Sequence, residues 1–347
     1  MKNLIVIHTQ YNLLLAVGLC QTNFINDEND LILFRDFNYT AQLARKIEPF
    51  FTKKLILEGN YPKYELSAVQ KMRKIFRDNR MIKEFVLDIY DRVLIVDDAC
   101  IQEMYTLKCC RKRNSQVDMA WLEDGSIAYF SNGVISGGMG ATPFRRAIRK
   151  MFFSTMFSLG GCYDLSDVMG GHQLLKKIYV TFPEYVRKEL AQKEKVLISE
   201  KAFELGITTL FKDKPVVFEE GSFLIALDKL DVYGDKKEKV NALIQKEIED
   251  ISKQHKKIYY KYHPRETERL SALESCIELD RRVALESYLV NSITRNMTVV
   301  GIKSTSLQTA KKMSYKAVSL IKAVDDNGEE IIKFYTKIGI ECRIIDG

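Results

Sequence analysis

The sequence predicts an α/β protein built from two Rossmann-like domains facing across a cleft. Three observations carry this expectation. Short apolar runs alternate with helix-length amphipathic stretches, the habit of parallel sheets covered by helices on both faces. The alternation occurs once in each half of the chain. The 347 residues also suit two domains at roughly 100–200 residues each.

The elements follow in order. Leu4–Ile7 reads as a buried strand, with a helix over about 12–21 after it. Leu31–Phe34 and Lys54–Leu57 are further strands. Arg92–Val96 is a strand leading into a helix over 101–110, and Val117–Leu122 is the next strand. In the second half, Ser222–Leu227 is a strand and Lys236–Gln254 a long, charged, periodic helix. Lys257–Tyr262 and Thr298–Ile302 are strands, a helix starts near Leu307, and strands near 317–321 and 341–345 complete the set. The charged stretch 185–220 lacks a strong strand pattern and is expected to hold the link, giving domains 1–212 and 213–347. In open α/β sheets ligands bind beyond the carboxyl ends of the strands, so the polar residues there are the candidates for chemistry.

Composition narrows the classes. A hydrophobic fraction of 46% supports ordinary globular cores. Lys plus Arg is 53 against 46 Asp plus Glu, a net charge of +7. That excess suits anionic partners such as nucleotides, acidic sugars or a phospholipid surface. It is too diffuse for a dedicated nucleic-acid binder. Seven cysteines without a C-x-x-C pair read as reduced thiols of a cytosolic protein. The N-terminus has no signal-peptide cleavage region, and no run of ~18 apolar residues is available to span a membrane.

Three polar clusters sit at predicted strand ends. In W-L-E-D-G-S (121–126), Glu123 and Asp124 follow a strand and Gly125 follows them. A carboxylate there can take a proton from an attacking hydroxyl, and glycine lets a substrate approach the backbone. Asp-Gly is equally a common turn pair. In K-Y-H-P-R (261–265), Pro264 biases His263 toward an extended backbone. That fixes an imidazole able to bind and protonate a departing phosphate, with Lys261 and Arg265 keeping the surroundings anion-friendly. In G-I-K-S-T-S-L-Q-T (301–309), Ser304, Thr305 and Ser306 fall at a helix start. They are ordinary N-caps, and a helix N-terminus also favours an anion. Together the clusters supply a base, a leaving-group acid and a phosphate cradle for transfer from a nucleotide-activated donor.

The order (D/E)-(D/E)-G, His-Pro, Ser/Thr pair resembles the bacterial sialyltransferases of GT-B fold. The likeness points first to the lipooligosaccharide sialyltransferases of glycosyltransferase family 52, with the family 38 polysialyltransferases related in pattern. The opening N-L-I-V-I-H-T-Q-Y-N resembles that group's first strand and loop, where Thr9 and Asn12 match a recurring Thr and side-chain amide. F-P-E-Y (182–185) resembles a polysialyltransferase segment. The resemblance implies transfer of sialic acid from CMP-sialic acid to a surface glycan, a lipooligosaccharide galactose or a growing capsular chain. It implies inversion by single displacement without metal or other cofactor, with Asp124 as base and His263 assisting CMP. The donor-side residues are then Ser304, Thr305, Ser306, Pro264, Gly125, Thr9 and Asn12. Lys303 stands where a small residue is more usual. The family suggests a homodimer.

Other features need placing. V-V-F-E-E-G (216–221) repeats the acid-acid-Gly pattern, but it precedes a strand instead of following one. Asp97 and Asp98, after the 92–96 strand, are expected to cap the next helix and line the cleft edge. The segment 144–159 is basic and amphipathic, with Arg145, Arg146, Arg149 and Lys150 on one face and Phe144, Ile148, Met151, Phe152 and Thr155 on the other. It packs on its own domain or lies on an anionic membrane surface, which would place a cytoplasmic protein at the inner face of the cell membrane. The Gly-rich 131–140 is an acceptor loop or a plain connector. Two rival readings stand beside the sialyltransferase: a GT-B nucleotide-sugar epimerase, separable by UDP against CMP competition, and a non-catalytic nucleotide- or polysaccharide-binding protein.

Overall fold

A computed structural model describes residues 1–37, 39–60, 66–130, 143–164, 166, 168–263, 266–324 and 328–343. The chain divides into two compact units, Met1–Leu210 and Phe211–Gly347.

The first unit carries strands β1 (Lys2–Ile7), β2 (Glu28–Arg35), β3 (Lys53–Glu58), β4 (Arg92–Ile95), β5 (Asp118–Leu122), β6 (Lys177–Val180) and β7 (Glu194–Leu197). Its helices are α1 (Gln10–Cys20), α2 (Ala41–Ile47), α3 (Ala68–Phe85), α4 (Ile101–Arg113), α5 (Pro143–Met156) and α6 (Glu200–Phe211). The strands form one parallel sheet in the order β3-β2-β1-β4-β5-β6-β7. β1 shows why the chain folds this way: Leu4, Ile5, Val6 and Ile7 are all fully buried, as a strand covered on both faces requires. The order turns around between β1 and β4, and this is the switch point where such sheets open a crevice.

The second unit carries β8 (Phe223–Ala226), β9 (Ile258–Lys261), β10 (Ile277–Glu278), β11 (Thr298–Gly301), β12 (Lys316–Ser319) and β13 (Glu341–Cys342). Its helices are α7 (Lys237–Ser252), α8 (Leu285–Asn291), α9 (Thr305–Lys312) and α10 (Glu329–Lys337). The sheet order β10-β9-β8-β11-β12-β13 is again parallel and repeats the pattern of the first six strands of unit one. Its switch point lies between β8 and β11.

The α/β class with parallel sheets is therefore as expected. The stretch 185–220 differs from expectation, because it contains β7 and α6. β7 is a mostly exposed edge strand, which removes the apolar signal that marks the central strands. α6 packs backbone to backbone on α1: a Cβ on Gly18 would lie 2.1 Å from the Ala202 carbonyl oxygen, and one on Gly206 would lie 2.2 Å from that of Leu14.

α5 forms as the amphipathic pattern predicts, but with a different inner face. Phe153 and Met156 pack against Met104, Phe157, Leu159 and Tyr163, while Ile148, Met151 and Phe152 are exposed. The Gly-rich segment 131–140, Arg265 and the side chains of Phe144, Arg145, Arg146 and Arg149 lie outside the described residues. All seven cysteines are free. Among the described residues no helix is long and apolar enough to cross a membrane.

Candidate functional site

In unit one the acidic motif leaves the carboxyl end of β5, beside the switch point. Its two acids have different surroundings. Glu123 is fully buried. Its carboxylate accepts from the Tyr11 hydroxyl at 2.6 Å, from the Thr181 backbone N–H at 2.9 Å and the Thr181 hydroxyl at 2.9 Å, and from the Tyr129 hydroxyl. Every lone pair facing the interior is occupied, so Glu123 is an anchor that ties β5, α1 and the end of β6 together.

Asp124 is half-buried. Its Oδ1 accepts from Asn12 Nδ2 at 3.0 Å. Burial pushes the Asp124 carboxyl above its usual 3.8; the Asn12 hydrogen bond and positive charge at His8 oppose that rise, while Asp97 and Glu123 add to it. Gly125 follows with φ +60°, in the left-handed region that favours glycine, and turns the chain into a short 3₁₀ segment.

Thr9 and Asn12 start α1 as a reciprocal capping box. Thr9 N–H donates to Asn12 Oδ1 at 3.0 Å, and Asn12 N–H donates to Thr9 Oγ1 at 3.1 Å. The side-chain amide Nδ2 of Asn12 donates to Glu123 O at 3.3 Å and to Asp124 Oδ1 at 3.0 Å. Asn12 is fully buried and orients Asp124 through the latter hydrogen bond. F-P-E-Y follows β6 and packs on the same group: Phe182 N–H donates to the Tyr129 hydroxyl at 3.2 Å, and the two rings meet edge-on at 5.6 Å.

Asp97 and Asp98 do not cap α4, whose N-cap is Cys100. Asp97 accepts from Ala99 N–H in its own turn. Asp98 is buried and accepts from the N–H groups of Gly170 and His172 at 3.0 and 2.8 Å. Burial raises its carboxyl to about 6.

In unit two, His263 stands two residues beyond β9, half-buried, and its carbonyl accepts from Glu266 N–H at 2.9 Å. Pro264 lies outside the described residues. Lys261 is buried, and its ammonium donates to the carbonyls of Tyr262 and Arg281. Burial pulls its pKa down. It therefore stabilises the strand end and does not serve an open anion site.

α9 begins at Thr305, two residues earlier than expected, with Ser304 as N-cap accepting from Ser306 N–H at 3.3 Å. Ser304 is thus engaged in the turn, whereas the Thr305 and Ser306 side chains are half-buried at the helix tip.

Asp228, beyond β8, is the residue that sequence reading missed here. It accepts from the Tyr233 hydroxyl at 2.5 Å and from Lys303 N–H at 3.0 Å, and Ser304 bonds it too. An acid two residues after an apolar strand was the available signal. His263 and Ser304 follow strands β9 and β11, which flank β8 and lie two strand spacings of ~4.8 Å apart. The acid-acid-Gly at 219–221 lies at the opposite, amino-terminal edge, where Glu220 merely accepts from Thr294 and Asn296.

Two parallel units of this order, with polar groups gathered at their carboxyl edges, define the fold shared by nucleotide-sugar epimerases and GT-B glycosyltransferases. The chain is similar to the UDP-GlcNAc 2-epimerase from Methanocaldococcus jannaschii, with 13% identity and TM-score 0.55 over 99% of this chain and 89% of that one. It is also similar to CalG4, the calicheamicin glycosyltransferase, with 9% identity and TM-score 0.50 over 98% and 85%. At these identities the likeness speaks for the fold alone. No curated protein matches the chain.

Residues 3–320 match the alpha-2,8-polysialyltransferase (POLYST) family. The chain belongs to that family, and the activity so supported is sialyltransferase-type glycosyl transfer. The match falls on polysialyltransferases; the likeness to family 52 rests on the short motifs alone.

Proposed function

We propose that the protein transfers sialic acid from CMP-sialic acid to the sialic acid end of a growing surface glycan, in α-2,8 linkage and with inversion. The acceptor hydroxyl attacks the anomeric carbon of the donor as the bond from that carbon to the CMP phosphate oxygen breaks. Asp124 takes the hydroxyl proton. His263 and the tip of α9, through Thr305 and Ser306, meet the phosphate that carries away the bonding electrons. A single phosphate leaves, so an imidazole and a helix N-terminus balance its charge without a metal.

The observation that supports this reading best is the division of labour in the acid pair. Glu123 is saturated and fully buried, while Asp124 is half-exposed and oriented by Asn12. A carboxylate raised above its usual range is a better proton acceptor than a free one, and a positioned base contributes about 10²–10⁴-fold to rate.

The test is incubation with labelled CMP-sialic acid and acceptors ending in lactose, galactose or sialic acid. Transfer to sialic-terminated acceptors is expected. Asp124→Asn should abolish it while CMP still binds, and His263→Ala should weaken CMP binding and turnover together. Competition by UDP instead of CMP, with no transfer to any acceptor, would favour the epimerase reading. The exposed Ile148, Met151 and Phe152 of α5 support a second element of the proposal: peripheral binding to the anionic inner leaflet, where a glycan acceptor is built.

A further inference from the structure

The carboxyl edge of the first sheet holds a second group of reactive atoms that the transfer does not use. His8 follows β1 directly and is buried, its ring stacked on Phe34 with centroids 4.2 Å apart. Nδ1 lies 3.0 Å from Asp36 Oδ2. A carboxylate can only accept, so Nδ1 carries the proton and Nε2 faces the other way.

There Nε2 stands 2.8 Å from Glu103 Oε1, an ion-pair distance when the ring is protonated, but without the geometry of a hydrogen bond. The Cys100 thiol completes the group. Nε2, Sγ and a Glu103 oxygen lie within 4.8 Å of one another. Groups this close repel unless a positive charge stands among them. Burial opposes a charged His8 ring, but Glu103 and Asp36 more than offset it, so the charge is carried either by a doubly protonated imidazole or by a bound metal ion in its place.

Each of the three side chains also has an outer partner. Asp36 orients His8. The N–H groups of Val96 and Asp97 hold the two oxygens of Glu103 at 2.8 and 3.0 Å. Asn60 Nδ2 lies 3.5 Å from the sulfur. Carboxylate–imidazole pairs of this kind commonly support metal-bound histidines. Cys100 is the N-cap of α4; burial pushes its thiol pKa up and the thiol donates to Gln102 Oε1 at 3.4 Å, so a bound ion would have to displace that proton.

We propose that His8 Nε2, Cys100 Sγ and the Glu103 carboxylate form a binding site for a zinc-type divalent cation. Imidazole, thiolate and carboxylate suit zinc and not the hard cations magnesium and calcium, and two anionic ligands neutralise its charge. Three protein ligands leave one position for water. The ion would tie the end of β1 to the first turn of α4, which follows β4, on either side of the switch point. The site is separate from the transfer step, and its test does not depend on that reading.

Full-length protein without a histidine tag is stripped with chelator and titrated with Co²⁺. One equivalent should bind, giving a thiolate-to-cobalt charge-transfer band that Zn²⁺ abolishes. Cys100→Ser should lose the band, and Asp36→Asn should weaken affinity by about 10–100-fold. Cys276→Ser should change nothing. If Cys100→Ser fails to fold, alkylation of Cys100 in the wild-type chain, followed by mass spectrometry, should be slowed by Zn²⁺. Folded wild-type protein that shows neither the cobalt band nor zinc protection of Cys100 would overturn the proposal, and the His8 ring would then carry a proton on both nitrogens.

Discussion

Asn12 Nδ2 donates to Asp124 Oδ1 at 3.0 Å, a bond that joins residues 112 apart in the chain. It favours the ionised carboxylate and so opposes the upward push of burial. As a base, Asp124 works only when deprotonated, so activity falls as pH drops through its raised pKa. Asn12→Ala removes a bond to a charged group worth about 1.5–3 kcal/mol. The acid limb of kcat/KM should then move up by roughly one to two pH units. A pH–rate profile with CMP-sialic acid checks this, and an unmoved limb would detach Asn12 from the base.

Glu123 and Asp124 should separate stability from activity. Glu123→Gln replaces one oxygen by a donor facing Tyr11, Tyr129 and Thr181, which are donors themselves. Stranding a buried donor costs about 1–3 kcal/mol, so the Tm should fall by several degrees. Asp124→Asn keeps a half-exposed polar group and should leave the Tm nearly unchanged while transfer disappears. Thermal melts of both variants beside activity assays read the contrast.

The strands were legible where the sheet buries them on both faces. Leu4–Ile7 and Trp121–Leu122 are continuous apolar runs because no face of them meets water. β7 was not legible, since its edge position leaves it mostly exposed. The acidic motif was visible as a pattern, but the roles of its members were not. Those roles depend on Tyr11, Tyr129 and Thr181, which meet Glu123 only through the tertiary fold. Asp228 escaped for the same reason: its partners Tyr233, Lys303 and Ser304 come from other segments. The imidazole–thiol–carboxylate group lacks any fixed spacing, because β1 and the turn before α4 meet only when the strand order turns around.

The α1–α6 contact gives a prediction about the fold itself. Gly18→Ala would set a methyl group 2.1 Å from the Ala202 carbonyl oxygen. Glycine to alanine inside a helix normally gains up to ~1 kcal/mol. Overpacking here costs about 1–3 kcal/mol or more, and the helices must separate to admit the methyl. Urea denaturation should show a net loss of stability, against the helix propensity.

The exposed apolar side of α5 predicts membrane binding that salt weakens but does not abolish. Met151 is 67% exposed and Phe152 is 53% exposed, unusual for large apolar neighbours. The protein should float with vesicles containing anionic lipid at low salt and less at physiological salt. Met151→Ala with Phe152→Ala should reduce binding about 10-fold or more, since burying such side chains is worth about 1.5–3 kcal/mol each. Flotation that is absent at both salt concentrations would remove the membrane element.

The hydroxyls at the start of α9 should also divide. Ser304 caps the helix through Ser306 N–H and bonds Asp228, so it holds the turn. Ser304→Ala should cost about 0.5–2 kcal/mol of stability and weaken CMP indirectly, by loosening the helix tip. Thr305 and Ser306 carry no such duty among the described residues. Thr305→Ala and Ser306→Ala should leave the melting curve in place and raise the Kd for CMP about 10-fold, the loss of one hydrogen bond to a charged group. Calorimetric titration with CMP beside thermal melts distinguishes the two effects. If Thr305→Ala and Ser306→Ala both bind CMP as the wild type does, the phosphate is held elsewhere on the second sheet.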